Sequence, residues 1–313
     1  MSRRIVVDKA GATSGGARRF LLELEDHLEQ NPRPDVEIVG GDRLSSRWLI
    51  ERELKATGAD RIALNNASFA LPGAQRTVLL RNALHFASKE EFRSLGYTPS
   101  EHMRRQTPVI RFLAHRADKI IVPCTAMAER VAKHAPKLEK RLEVKLHPVS
   151  PLGWSGATPE PERKIILVPI VPQSYKRLDK HIPAILKASD GTGALVAVTA
   201  SPGDIPEADA HPRYLPINKM AAEDLAVWWG RATAIFFPPT LESFGYALAE
   251  ARCGGRPVIA PDTQQNREIA GPALCSYNTS EQLADAVRLA LATSLQPDPA
   301  PFDPEVYFNA LLK

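Results

Sequence analysis

Two doubly wound α/β domains facing across a cleft are the architecture this sequence predicts, on three observations. Short apolar runs alternate with amphipathic helical segments, a βαβ rhythm that runs up to about residue 148 and restarts after 162. The runs, such as IVVD, KIIV and KIILV, are continuously apolar rather than alternating. Strands read that way when a parallel sheet is covered on both faces. The length, 313 residues, suits two domains of roughly 100–200 residues each.

Each element can be justified in turn. RRIVVD (3–8) is the first strand, and the loop KAGATSGGA leads to a helix over 15–30. That helix aligns Phe20, Leu21, Leu24 and Leu28 on one face. Strands follow at 36–40, 61–66, 76–82 and 119–124, with a helix through RWLIERELKA. Before the last of these, Thr107 is placed to cap a helix carrying Pro108 at its first position. Residues 148–162, rich in Pro, Gly and Ser and without periodicity, read as a linker. Beyond them, strands are expected at 164–170, 194–200, 213–217, 234–239 and 257–261, with helices near 176–189, 220–230, 243–253 and 279–293. The expected division is a domain over 1–150, a linker over 151–162 and a second domain over 163–295. A final helix within 296–313 is expected to pack back toward the first domain.

Composition narrows the function classes. With 44% hydrophobic and 24% charged residues, the chain is globular rather than disordered, collagenous or coiled. It has no run of about 20 apolar residues to span a bilayer and opens without the apolar core of a signal peptide. A cytoplasmic protein is the expectation. Cys124, Cys253 and Cys275 are too far apart for a zinc site or a disulfide framework. The net charge of +4 conceals an asymmetry: residues 1–150 carry 26 basic and 18 acidic groups, residues 151–313 carry 14 and 18. A basic half points to an anionic partner on that side only. The Arg-rich amphipathic stretch at 102–117 is either a scaffold helix or a contact with a membrane surface. Nucleic acid is not expected, for want of any binding module.

The chemistry concentrates in PPTLESFGYALAEARCGGRPVIAPDTQQNREIAG, residues 238–271. A strand ends in a turn, Glu242 follows, and Ser243-Phe244-Gly245-Tyr246 is expected to open a helix. Backbone N–H groups at a helix start bind anions, and Gly245 lets a phosphate come close. Glu242 and Glu250 are placed to bracket a ligand over that start. Dinucleotide, P-loop and metalloprotease fingerprints are absent.

This segment resembles the donor-binding motif of retaining glycosyltransferases of family 4, through Glu242-SFGYALA-Glu250, CGGRPVIA and QNREIAG. The resemblance implies the GT-B fold, two Rossmann-like domains facing across a cleft, and a nucleoside diphosphate sugar as co-substrate, UDP or GDP type not resolved. It implies no metal and no further cofactor. Glu242 would lie by the donor sugar, the Ser243–Tyr246 amides by the diphosphate and Glu250 by the ribose. VPQSYKRLDKHIPAIL resembles the family's basic segment, in which Lys176 would hold the diphosphate. Lys176 and Glu242 are thus the implied catalytic residues. SGGARRFLLEL resembles the family's Gly-Gly loop, with Gly15 and Gly16 facing the cleft.

Two departures bear on mechanism. Pro169-Ile170 stands where the family usually has Gly-Arg, leaving Arg177 as the candidate replacement. Arg81 stands where the family often has a histidine, followed by Asn82, with His85 beyond; these three are the candidate acceptor-side residues. The acceptor would be a sugar, a lipid-linked or a small molecule, with peripheral membrane contact through the basic domain. Other chemistry on the same fold, such as pseudo-glycosyl transfer or sugar-nucleotide epimerisation, and binding without catalysis stay open.

Overall fold

Apolar runs of three or four residues build two sheets, each of six strands and each wholly parallel. The computed structural model describes residues 3–150, 163–220 and 222–313; the linker expected at 151–162 lies outside the described residues.

The first lobe runs β1 (Ile5–Asp8), α1 (Gly15–Gln30), β2 (Val36–Val39), α2 (Ser46–Lys55), β3 (Asp60–Ala63) and β4 (Arg76–Leu79). It continues through α3 (Lys89–Ser94), α4 (Glu101–Ala114), β5 (Lys119–Val122), α5 (Thr125–His134) and β6 (Leu142–Val144). The second lobe runs β7 (Ile165–Val168), α6 (Leu178–Ala188), β8 (Leu195–Val198), α7 (Pro206–Asp209), β9 (Tyr214–Pro216) and α8 (Ala222–Arg231). Then come β10 (Ala234–Phe236), α9 (Tyr246–Cys253), β11 (Val258–Pro261), α10 (Gln264–Ala270), β12 (Leu274–Tyr277), α11 (Ser280–Ala292) and α12 (Pro304–Leu311).

Strand order is β2-β1-β3-β4-β5-β6 in the first sheet and β12-β11-β10-β7-β8-β9 in the second. Each order reverses direction once, between β1 and β3 and between β7 and β10. Such switch points open a crevice beyond the strands' carboxyl ends, where ligands of doubly wound sheets bind. The α/β class and the two doubly wound lobes are as the sequence predicts.

Several boundaries differ for identifiable reasons. Thr107 does not cap a helix; its hydroxyl donates to the Met103 carbonyl at 2.9 Å, one turn back. Ser100 is the cap, accepting from Met103 N at 3.2 Å, so α4 starts earlier and carries Pro108 in its interior. The helix expected from Ser243 begins at Tyr246, because Gly245 takes a left-handed conformation with φ +81°. Strands β6 and β12 and helix α10 complete the two sheets' framework and were not read as elements from the sequence.

The last helix belongs to the first lobe's core. Phe308 and Leu312 join Val7, Phe20, Leu24, Ile62, Leu79 and Ile121 in one buried cluster. Phe20 meets the rings of Tyr307 and Phe308 edge-on, at 5.5 and 5.4 Å. The lobes are therefore stitched together by chain crossing as well as by contact. Phe308→Ala is expected to cost about 3–5 kcal/mol, read by chemical denaturation. A loss below about 1 kcal/mol would show that α12 is not part of that core.

Candidate functional site

The loops beyond β1, β3, β4, β7 and β10 all reach one space between the lobes, a cleft of about 1010 Å³. That volume accommodates a nucleotide sugar, being at the upper end of ligand pockets.

On the first lobe, the loop after β1 ends at Ser14, whose side chain makes no capping bond to α1. The opening amides of α1 therefore lack a side-chain partner. Gly15 has φ +54°. At Gly16 a Cβ would lie 2.9 Å from the Tyr246 ring of the other lobe. Only glycine allows the two walls to come this close.

On the second lobe, the chain leaves β10, passes Glu242 and enters α9 through Gly245. A Cβ there would lie 2.9 Å from Phe237 and 3.1 Å from Leu248. No side chain caps α9 either, so its amide end is open toward the cleft. Lys176 closes the short 3₁₀ turn Ser174–Lys176 beyond β7. Its Nζ lies 3.5 Å from Glu242 Oε1. Two segments 66 residues apart in sequence thus bring an acid and a base together on one wall.

Glu250, one face further along α9, pairs with Arg19 of α1 at 3.7 Å, and Arg19 also pairs with Glu23 at 3.0 Å. Burial pushes the Glu250 carboxyl above its ordinary value; Arg19 opposes that shift and Glu23 adds to it. Gly15, Gly16, Lys176, Glu242, Ser243, Phe244, Gly245, Tyr246 and Glu250 all line the cleft. Ser243 and Phe244 are partly committed elsewhere. The Ser243 hydroxyl donates to the Arg81 carbonyl at 2.7 Å. The Phe244 carbonyl accepts from Gln265 at 3.1 Å, and its ring is buried.

Three other expected residues have distinct placements. Arg177 is not among the lining residues: it pairs with Asp179 at 3.0 Å and donates to the Leu95 carbonyl at 3.4 Å. Its left-handed backbone, φ +49°, directs the chain into α6. His85 sits behind the wall, buried, with Nδ1 2.9 Å from the Thr107 hydroxyl. Burial, and secondarily the charge of Arg111, push it down to about 4. Asn82 does line the cleft while its Oδ1 accepts from Leu84 N at 3.0 Å.

Arg81 is buried in the wall. Its Nε donates to His147 Nε2 at 3.2 Å, it bonds the Gly16 carbonyl, and its guanidinium lies 4.5 Å from the Phe20 ring centre. Burying a cation without a carboxylate costs several kcal/mol, more than the roughly 0.5–2 kcal/mol of a cation–π contact. Burial accordingly lowers its pKa from the ordinary value.

Sequence reasoning missed His147, which lines the cleft from beyond β6, a strand it did not read. It also missed Tyr97 and Tyr175, whose rings meet at 5.5 Å across the lobes. No local pattern marks His147 or Tyr97, whereas Tyr175 stands beside Lys176 in the segment VPQSYKRLDKHIPAIL; only the folded chain brings the three to one cleft. Among the described residues no cluster of three His, Cys, Asp or Glu is placed to hold a metal.

Comparison with solved structures matches this arrangement over nearly its whole length. The Anabaena protein HepE, in complex with UDP-glucose, superposes with a TM-score of 0.67 at 15% identity, covering 99% of this chain and 98% of its own. The fold is GT-B. A sucrose-phosphate synthase from Thermosynechococcus elongatus gives 0.66 at 14% identity, covering 100% of this chain and 95% of its own. The apo form of the lipopolysaccharide outer core galactosyltransferase WaaB gives 0.62 at 13% identity, covering 99% of both chains. No family model and no curated protein matches the sequence. At these identities the likeness establishes the GT-B fold and leaves chemistry to the residues themselves.

The raised Glu250 carboxyl has a stability consequence. The folded chain holds that proton more tightly than the unfolded chain, so the group's contribution is complete below the ordinary Glu value. It is lost as pH rises through the raised one. Glu250→Gln is therefore expected to melt about 2 °C above the parent at pH 8 and together with it at pH 4. A variant that melts lower at pH 8 would mean the Arg19 pairing outweighs burial.

Proposed function

We propose that this chain is a retaining glycosyltransferase resembling family 4, moving a sugar from a UDP-sugar to an acceptor hydroxyl. One observation carries the reading: Lys176 and Glu242 meet beside the uncapped start of α9, where a diphosphate and its sugar would lie together. The HepE complex with UDP-glucose supports UDP as the nucleotide.

Charge develops on the nucleoside diphosphate as its bond to the anomeric carbon breaks. The Lys176 ammonium and the amides entering α9 would stabilise that charge without a metal. Glu242, an acceptor-only carboxylate, would orient donor sugar hydroxyls, and Glu250 those of the ribose. The acceptor oxygen then bonds the anomeric carbon from the face the diphosphate leaves, and its proton passes to the departing phosphate. Retention follows from that geometry. Gly15 and Gly16 would let donor and acceptor come within reach.

The acceptor is a sugar, a lipid-linked or a small molecule. Among the described residues no helix is long and apolar enough to cross a membrane. A cytoplasmic enzyme, in peripheral contact with a membrane, fits this reading. On α4, Val109 and Phe112 are exposed beside Arg105 and Arg116, a face suited to that contact.

Thermal melting with UDP, GDP, dTDP and ADP tests the nucleotide: UDP alone is expected to raise Tm substantially. Incubation with UDP-sugars over an acceptor panel should yield an α-linked product from an α-linked donor, read by NMR. Lys176→Ala is expected to lower transfer about 10²–10³-fold. Equal transfer by that variant would remove Lys176 from the reaction, and an epimerised free sugar nucleotide would replace transfer with another chemistry.

A further inference from the structure

Buried arginines in the first lobe follow a pattern that one of them breaks. Arg52 pairs with Asp8 at 2.5 Å and Arg61 with Glu53 at 3.2 Å. Arg81 is buried to a similar degree but pairs with no carboxylate among the described residues. Its bonds go to neutral acceptors, the Gly16 and Leu64 carbonyls and His147 Nε2. These take three of the five N–H donors of a guanidinium, and the Tyr246 hydroxyl lies against the remainder. Buried charges are ordinarily matched.

The neighbours of Arg81 are also donors. Because His147 Nε2 accepts from Arg81, the neutral ring carries its proton on Nδ1. That nitrogen has no hydrogen-bond partner, although His147 is only 1% exposed and lines the cleft. The Tyr246 hydroxyl, on the facing wall, lies against the Arg81 guanidinium and has no acceptor for its own proton. A cation and the phenol O–H beside it thus stand at the cleft wall with nothing anionic to receive them, while the His147 Nδ1–H lies on the ring edge turned away from Arg81. The arrangement lies apart from Lys176, whose charge is already met by Glu242.

We infer that Arg81, positioned by the neutral His147, and Tyr246 form a second anion site, which takes a compact oxyanion carried by the acceptor, a phosphate or a carboxylate. Assigning the anion to the acceptor rests on the glycosyltransferase reading; the anion site itself does not. The site gives Arg81 a task that a neutral histidine in its place would not perform, since a guanidinium stays charged and forks onto paired oxygens.

The test is calorimetric titration of inorganic phosphate into the full chain held in saturating UDP. Phosphate is expected to bind while UDP stays bound. Arg81→Gln should weaken it about tenfold or more, and Arg81→Lys and Tyr246→Phe by several fold. Lys176→Ala should leave it unchanged. Should Arg81→Gln fail to fold, the two conservative variants carry the test. Sodium acetate titrated in the same way distinguishes a carboxylate from a phosphate, and binding of either through Arg81 supports the site. Phosphate that competes with UDP and is lost in Lys176→Ala but kept in Arg81→Lys and Tyr246→Phe would place the anion in the donor site and overturn the proposal. No saturable binding of either anion would overturn it too. If UDP fails to bind while phosphate still binds through Arg81, the anion site stands and the glycosyltransferase reading falls.

Discussion

Arg81 leaves the end of β4 and touches each part that the cleft requires. Its guanidinium holds the Gly16 carbonyl, and with it the turn that opens α1. Its Nε fixes His147 beyond β6. Its carbonyl receives the Ser243 hydroxyl from the opposite lobe, just before the left-handed Gly245 that starts α9. A single residue therefore ties the glycine loop of one sheet to the turn that enters α9 on the other. The energetic cost of burying it is only partly offset, by neighbours that supply geometry rather than charge. Phe20 stacks under it, and Gly16 lacks the side chain that would strike Tyr246. The rest of the cleft is arranged around that constraint.

How much of this was legible beforehand depends on whether a feature is local. The strand–helix rhythm is local, since each buried strand must be apolar on both faces. Even α1 is found at the expected bounds, because its four-residue periodicity and its glycine start sit within one window. That Glu242, Gly245 and Glu250 line one wall of the cleft was legible for the same reason, since they lie in one short segment. Strand β6 was not, because three residues, half-buried Leu142 and Glu143 and exposed Val144, carry too little pattern to stand out. His147 was lost with it. Thr107 misled because a threonine before a proline imitates a helix start, whereas Ser100 supplies the real cap.

Non-local pairing also decides which of the basic residues matter. Arg18, Arg19, Arg81 and Arg177 look equivalent in a sequence. In the fold, Arg18 stays near the surface with Glu25, Arg177 turns to Asp179, Arg19 bridges Glu23 and Glu250, and Arg81 is buried without a carboxylate. Their separation is a matter of which element each leaves and, for Arg18 and Arg19 on α1, of which side of the helix each lies on. The net charge of the first lobe registers all four alike and so could indicate only that an anion is wanted on that side.

The two ion pairs of the cleft define what binding must rearrange. Lys176–Glu242 lies within the second lobe, while Arg19–Glu250 crosses from one lobe to the other. On the proposed glycosyltransferase reading, a diphosphate that takes the Lys176 ammonium would free Glu242 to accept hydroxyls from the sugar, so the first pair would exchange one anion for another. The second pair is different. A ribose that takes Glu250 has no charge to offer Arg19, which keeps Glu23 as its remaining partner. Occupying Glu250 therefore loosens one contact between the lobes at the same moment that the diphosphate strengthens the wall they share. Since α12 and the Ser243–Arg81 bond hold the lobes independently of Glu250, the cleft can yield at Arg19 without coming apart. The crossing ion pair is thus the element through which donor binding would be felt by the acceptor wall.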